Sequence, residues 1–386
     1  MKASSAYYNQ VWARDSFITF AGSNMLEDQD LLRCARDTVD TFAKTRSPLG
    51  QVANMFDLST ARPEFGFSGS TDSSSWYIIG VSDLFRTTRD RGLLKEPLDA
   101  ALEAHRWLRY QDANNSWLID SPQGADWMDA AVQRTGKTLY NNVLFILATR
   151  SVIDLCRAAG RKLDQGIPDL DSLQERFTDV FLPGKDSPAR VSEYWPRLGE
   201  LLSSRKPLGL SRRYYLQYVS FARIDDHFDT LSNILCILSG LSELKTSHSI
   251  LAVARSRGLT SPYPVRVLDP PYKPGEPGFD TTFNASLPPQ HRSDQFAYHN
   301  GAVWPFVGGL YVSVLNSLGV EGSSKELEAL ADANNAFITG ERVGFNEWLD
   351  GRSGKPMGQY GQSWNAGTFI AAFLSAKGRS PFAFEE

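Results

Sequence analysis

Apolar residues recur at helical spacing along most of this chain. Leu31, Leu32, Ala35, Val39, Phe42 and Ala43 mark one stripe. Leu98, Ala101, Leu102 and Leu108 mark another. Three- and four-residue intervals of this kind put their members on one helix face. The same pattern predicts helices over 74–89, 140–159, 170–181, 228–242, 246–257, 301–317, 323–337 and 364–376. Gly160, Gly258, Gly319 and Gly378 follow such segments, where a helix C-terminus favours glycine. About ten to twelve helices result, with no convincing alternation for a strand. The expectation is an all-α fold.

The connections are as informative as the helices. The stretches 50–73, 112–138, 258–300 and 338–363 are long and rich in Gly, aromatics and acids. Eight of the 20 prolines fall between Ser261 and Pro289, which argues against helix there. Long loops in a compact helical chain are usually functional or disordered, and aromatic content argues against disorder. Six helical hairpins with functional loops at one end suit an (α/α)6 barrel, expected here as a single catalytic domain over 1–386. Periodicity alone fits an irregular bundle equally well.

With 386 residues and 42% hydrophobic content, the chain can bury a large core. The net charge of −4 is spread without a basic block, so nucleic acid is not an expected partner. Cys34, Cys156 and Cys236 have neither zinc-ligand nor disulfide spacing, which suits a reducing compartment. No run approaches eighteen apolar residues and the start has no apolar leader, so the expected location is cytoplasmic, off the membrane. The 22 Phe, 14 Tyr and 9 Trp often stand beside Asp, Glu, Asn, Gly and Gln rather than within apolar runs.

Six segments carry candidate chemistry. Tyr7 to Phe17 sets Arg14 and Asp15 beside Trp12; this is a surface ion pair at a helix start or a sugar clamp. Asp72 and Trp76 stand where a polar loop enters an apolar helix, and Asp72 alone reads best as a cap. Asp126 and Asp129 flank Trp127 and Met128, so burial against an aromatic could raise a carboxyl pKa; an ordinary loop acid fits as well. Asp225, Asp226, His227 and Asp229 invite a metal reading, but no second His or Cys cluster completes a shell, and a buried network around Asp229 and Asn233 is favoured. His299, Asn300 and Trp304 mark another helix start, with Asn300 a plausible N-cap. Glu347 lies between Phe345 and Trp348 in a Gly-rich loop, followed by Gln362 and Trp364. Asp350-Gly351 could make this a plain turn, yet the density of Trp, Tyr and acids exceeds what a turn needs.

These pieces share a chemical logic. Cleaving a glycosidic bond needs two carboxyl groups, one to protonate the leaving oxygen and one to activate water or attack, inside an aromatic, hydroxyl-reading pocket. Asp129 and Glu347 are the pair selected.

Read together and in order, YNQVWARDSFIT, DSSSWYIIG, DWMDA with GKTLYNN, YHNGAVWPFVGG, FNEWLDG and QSWNAG resemble the (α/α)6-barrel glycoside hydrolases. That group includes the glucosidase part of glycogen-debranching enzymes (the amylo-alpha-1,6-glucosidase family) and the alkaline/neutral invertases. The debranching signature is the closer match, over Tyr7 to about Phe373. The resemblance implies Asp129 as general acid and Glu347 as general base, mostly with inversion. It places Arg14, Asp15, Asp72, Trp76, His299, Trp304, Gln362 and Trp364 on segments around the scissile sugar. Trp12, Trp127 and Trp348 are further candidate walls, and Asn300 a further contact. Asn346-Glu347-Trp348 stands where invertases carry Pro-Glu-Tyr, which weakens a sucrose reading. No segment reads as a transferase domain or β-sandwich module, which puts long-polymer binding in question.

The expected activity is exo-acting, inverting release of a terminal sugar, glucose from an α-glucoside, without metal or cofactor. The partner is an oligosaccharide or small glycoside, with a homo-oligomer compatible. The alternatives are an invertase-like β-fructofuranosidase, a sugar epimerase or phosphorylase on the same barrel, and a non-catalytic carbohydrate-binding protein.

Overall fold

A computed structural model describes residues 1–5, 8–66, 71–204, 213–337 and 344–382. Tyr7 of the first motif, residues 67–70 of the loop before Asp72 and residues 338–343 of the last long loop lie outside the described residues.

Fourteen α-helices are present among the described residues. The first five are α1 (Ala13–Ser23), α2 (Gln29–Thr45), α3 (Thr71–Thr88), α4 (Glu96–Arg109) and α5 (Leu139–Ala159). Then come α6 (Leu170–Phe181), α7 (Ser187–Tyr194), α8 (Pro196–Ser204), α9 (Thr230–Leu238) and α10 (Leu244–Ser256). The last are α11 (Thr281–Ser286), α12 (Pro305–Ser317), α13 (Ser323–Asn335) and α14 (Ser363–Ser375). Each helix predicted from periodicity is found, with ends shifted by a few residues. The exception to the expected Pro-rich loop is α11, a short helix whose N-cap Asp280 accepts from Phe283 N.

Six of these helices close a ring: α1 packs on α3, α3 on α5, α5 on α9, α9 on α12, α12 on α14, and α14 back on α1. Outside them lie α2, α4, α6, α10 and α13, each joined to its inner neighbours. This is the (α/α)6 barrel. Burial separates the two rings. All eleven residues of α1 are buried, as an inner helix covered on every side requires. In α2 only Ala35, Thr38, Val39, Phe42 and Ala43 are buried, one stripe facing inward. Local signals set the ends. Asp28 caps α2 by accepting from Asp30 N and Leu31 N, and Thr138 caps α5. Gly160 stops α5 in a left-handed conformation (φ 64°) that a Cβ would disfavour.

The barrel closes where side chains are smallest. A Cβ on Gly22 of α1 would overlap the carbonyl oxygen of Gly367 on α14, and one on Gly309 of α12 would meet Thr368 at 2.6 Å. Strands are two or three residues long and only pin loops. Trp12 pairs with Met55, and Trp348 pairs with Met357, both antiparallel. The N-caps of α1, α12 and α14 meet at one loop-rich end, so their positive dipole ends converge there.

Candidate active site

At that end lies a cavity lined by Tyr8, Trp12, Arg14, Asp15, Trp127, Asp129, Tyr298, His299, Trp304, Glu347, Gln362 and Trp364. Three of these are helix N-caps: Trp12 of α1, Trp304 of α12 and Gln362 of α14. Arg14, Asp15 and Trp364 occupy first turns. The barrel therefore gathers residues from both ends of the chain by starting its inner helices around one axis.

Asp126 and Asp129 face in different directions. Asp126 is buried, accepts from Met128 N at 2.8 Å and from Arg134 Nη2 at 2.8 Å, and serves the loop. Arg134 also pairs with Asp229, the N-cap of α9, so one buried guanidinium ties the loop to the barrel wall. Asp129 instead lines the cavity, with about 22% of its side chain open. Burial pushes its pKa up to about 7, against the pull of Arg14, whose Nη2 is 3.7 Å away.

Glu347 is held from two sides: Tyr8 Oη donates to Oε1 at 3.3 Å and Gln359 N donates to Oε2 at 3.1 Å. Burial still pushes its pKa up to about 8. Asp15, also buried, rises to about 6 despite Arg14. Burial opposes the Arg14 charge, but Asp72, Asp129 and Asp15 outweigh it and keep the guanidinium cationic. His299 is driven well down by burial, then by Arg134 and Arg14, so its ring is neutral.

The walls are a continuous aromatic cluster. His299 stacks on Trp304 with centroids 5.3 Å apart, Trp127 meets Trp304 edge-on at 5.5 Å, and Trp364 meets Trp304 at 5.8 Å. Trp304 donates from Nε1 to Tyr298 O, fixing the loop that carries Tyr298. Several polar atoms on the lining have no partner among the described residues: the indole nitrogens of Trp12, Trp127 and Trp364, His299 Nδ1 and Gln362 Nε2.

Four sequence candidates stand behind this lining. Asp72 does not cap α3; its Oδ2 accepts from Arg14 at 2.9 Å and from Tyr140 Oη at 3.2 Å, so it orients Arg14. Trp76 is fully buried and donates to Tyr140 Oη. Asn300 is no helix cap, since α12 starts at Pro305; it accepts from Tyr272 N and donates to Tyr272 O and Ser293 O, stapling the long loop. Trp348 is buried beside the cavity without lining it. Tyr8 and Tyr298 line the cavity although sequence reasoning passed over them. Both lie within the motifs, but tyrosines are common throughout this chain. Asp225 and His227 bond each other at 2.7 Å, and no group of three or more His, Cys, Asp or Glu is placed to hold a metal among the described residues.

Comparison with known proteins agrees with this architecture. The solved structure of a GH63 mannosylglycerate hydrolase from Thermus thermophilus, in complex with glucose, superposes with a TM-score of 0.62 at 16% identity, covering 98% of this chain and 95% of that one. A bacterial glucoamylase complexed with acarbose superposes at 0.57 and 13% identity, over 97% of this chain and 50% of the glucoamylase. At such identities the likeness concerns the fold. A probable alkaline/neutral invertase F of Arabidopsis thaliana is 28% identical over 169 residues, 42% of this chain but only 31% of that relative's length. The model of the amylo-alpha-1,6-glucosidase family matches residues 1–371. The chain thus belongs to the amylo-alpha-1,6-glucosidase family and is built on an (α/α)6 barrel.

Proposed function

We propose that this protein is an exo-acting, inverting glycosidase that releases glucose from the end of a short α-glucoside, with Asp129 as general acid and Glu347 as general base. The observation that carries this reading is the cavity itself. Asp129 and Glu347 line one chamber, each with its pKa raised by burial as that of Asp15 is, and Trp12, Trp127, Trp364 and Gln362 around them keep side-chain nitrogens without a partner among the described residues. In the reaction, the Asp129 proton passes to the glycosidic oxygen as the C–O bond breaks. Glu347 takes a proton from the water that attacks the anomeric carbon from the opposite face. Tyr8 and Gln359 N aim the Glu347 carboxylate. Inversion requires the carboxyls to stand about 6.5–9.5 Å apart, room enough for that water.

A neutral aglycone is favoured over an acidic one. Arg14 is the one cationic side chain among the described lining residues, and it is already engaged by Asp72 and faces Asp15 and Asp129. No cation of that lining is left to pair a substrate carboxylate. A second reading, sucrose hydrolysis, draws on the partial match to the invertases.

The test is a screen of isomaltose, panose, maltose, sucrose and aryl α- and β-glucosides, with proton NMR following the first anomer released. β-Glucose appearing first from an α-glucoside supports the proposal; fructose from sucrose alone replaces it with the invertase reading. The roles separate by leaving group. Asp129→Asn should retain most turnover on a glucosyl fluoride, which needs no acid, and lose about a thousandfold on isomaltose. Glu347→Gln should lose both. The reverse pattern would exchange the two assignments.

A further inference from the structure

The Gly136-Lys137 pair of the GKTLYNN motif takes no part in the cavity. Lys137 is fully buried, and its Nζ donates to Leu118 O at 2.5 Å, to Asp120 at 2.8 Å and to Asp112 at 3.3 Å. Asp112 in turn accepts from Trp117 N at 2.8 Å and from Ser116 N at 3.1 Å. A buried cation is costly unless fully bonded, and here it is spent on one small loop. That loop presents Trp117 with a φ of 68°, a conformation that a bulky side chain adopts only when its surroundings impose it. Held this way, Trp117 remains 40% exposed, and neighbouring Tyr110 is 77% exposed.

Both rings border a second cavity, an open groove between the end of α4, the Trp117 loop and residues 164–168. Its polar lining is planar and balanced in charge. Arg106 pairs with Asp164 at 2.8 Å, and Arg109 reaches Gln165 O at 3.4 Å while its buried Nε has no partner among the described residues. Exposed aromatic faces beside planar hydrogen-bonding groups and little net charge suit the C–H faces and hydroxyls of pyranose rings.

We propose that this groove is a second carbohydrate-binding site that holds a neutral α-glucan chain across Tyr110 and Trp117. The choice of glucan rests on the glucosidase reading above. The groove shares no lining residue with the first cavity, so a chain held there leaves that cavity free.

The experiment uses the full chain. Native gels containing glycogen and titration calorimetry with maltoheptaose compare the parent with the double variant Tyr110→Ala/Trp117→Ala, and turnover of p-nitrophenyl α-glucoside is followed in parallel. The expected result is an affinity about tenfold lower or worse in the double variant, with unchanged small-glycoside turnover and circular dichroism. Trp117→Phe, which keeps a ring, should retain most of the affinity. Equal retardation of parent and double variant, or no retardation of the parent, overturns the proposal. So does a parallel fall in small-glycoside turnover, which would make the loop a support for the active site alone. A parent that binds glycogen through Trp117 yet hydrolyses no α-glucoside would leave the groove standing and remove the substrate reading. Hydrolysis without Trp117-dependent binding would do the opposite.

Discussion

Gly358 shows how closely single residues are fitted around Glu347. Its φ is +70°, and a Cβ there would lie 2.6 Å from Glu347 Oε2 and 2.7 Å from Trp348 Cδ1. Gly358→Ala should therefore displace the carboxylate while leaving the barrel intact. A shift of about 1 Å in a reacting group can cost on the order of a hundredfold, so kcat should fall about ten- to a hundredfold with little change in melting temperature. Steady-state kinetics beside a thermal melt checks this. The same scale shows what spacing conceals. Asp126 and Asp129 both flank Trp127, and nothing local tells which one turns toward Arg134 and which toward the cavity. Trp76 and Trp348 resemble Trp127 in neighbourhood, yet their rings serve the packing behind the wall.

Among the elements, the 124–138 loop depends on α9 through Arg134. Asp126, Arg134 and Asp229 are all buried, and removing the shared cation would leave two carboxylates without it. Arg134→Met should destabilise the protein by about 3–5 kcal/mol, measured by denaturant unfolding. Replacing Asp126 by Asn in that variant should recover part of the loss, because one stranded charge is gone. The α1–α14 seam makes a separate demand. Gly22→Val places two methyl groups against the Gly367 backbone and should cost at least about 2 kcal/mol. These helices were legible because periodicity and capping are local properties. Which helices form the inner ring was not: α1 is buried along its whole length although Arg14, Asp15, Ser16, Thr19 and Ser23 are polar.

At the scale of the whole molecule, the ring closes only when α14 meets α1, so the barrel should unfold as one cooperative unit. Calorimetry should show a single transition with equal van't Hoff and calorimetric enthalpies. Its stability should depend on pH through the paired carboxyls. Glu347 moves from an ordinary 4.5 to about 8 and Asp129 from 3.8 to about 7. The folded state then binds more protons than the unfolded state between these limits. The resulting stability is fully present below about pH 4 and lost as pH rises through about 7 and 8. Glu347→Gln should thus melt higher than the parent at pH 8.5, by about 2–4 °C, and show little difference at pH 4. With Asp129 as the proposed acid and Glu347 as the proposed base, activity needs the proton on Asp129 and none on Glu347, the minor of the two singly protonated forms when Glu347 is the weaker acid, so kcat/KM should be bell-shaped with limbs near pH 7 and 8 and a low maximum.

Local sequence was enough to place the helices, the loops that carry the candidate residues, and the kind of chemistry those loops could support. Helix periodicity, caps and the clustering of Trp with carboxylates are written in neighbouring residues. Which carboxylates, rings and amides face one cavity emerges in the folded barrel alone. That depends on closing a ring from residues hundreds of positions apart, and on burial, which no residue carries alone.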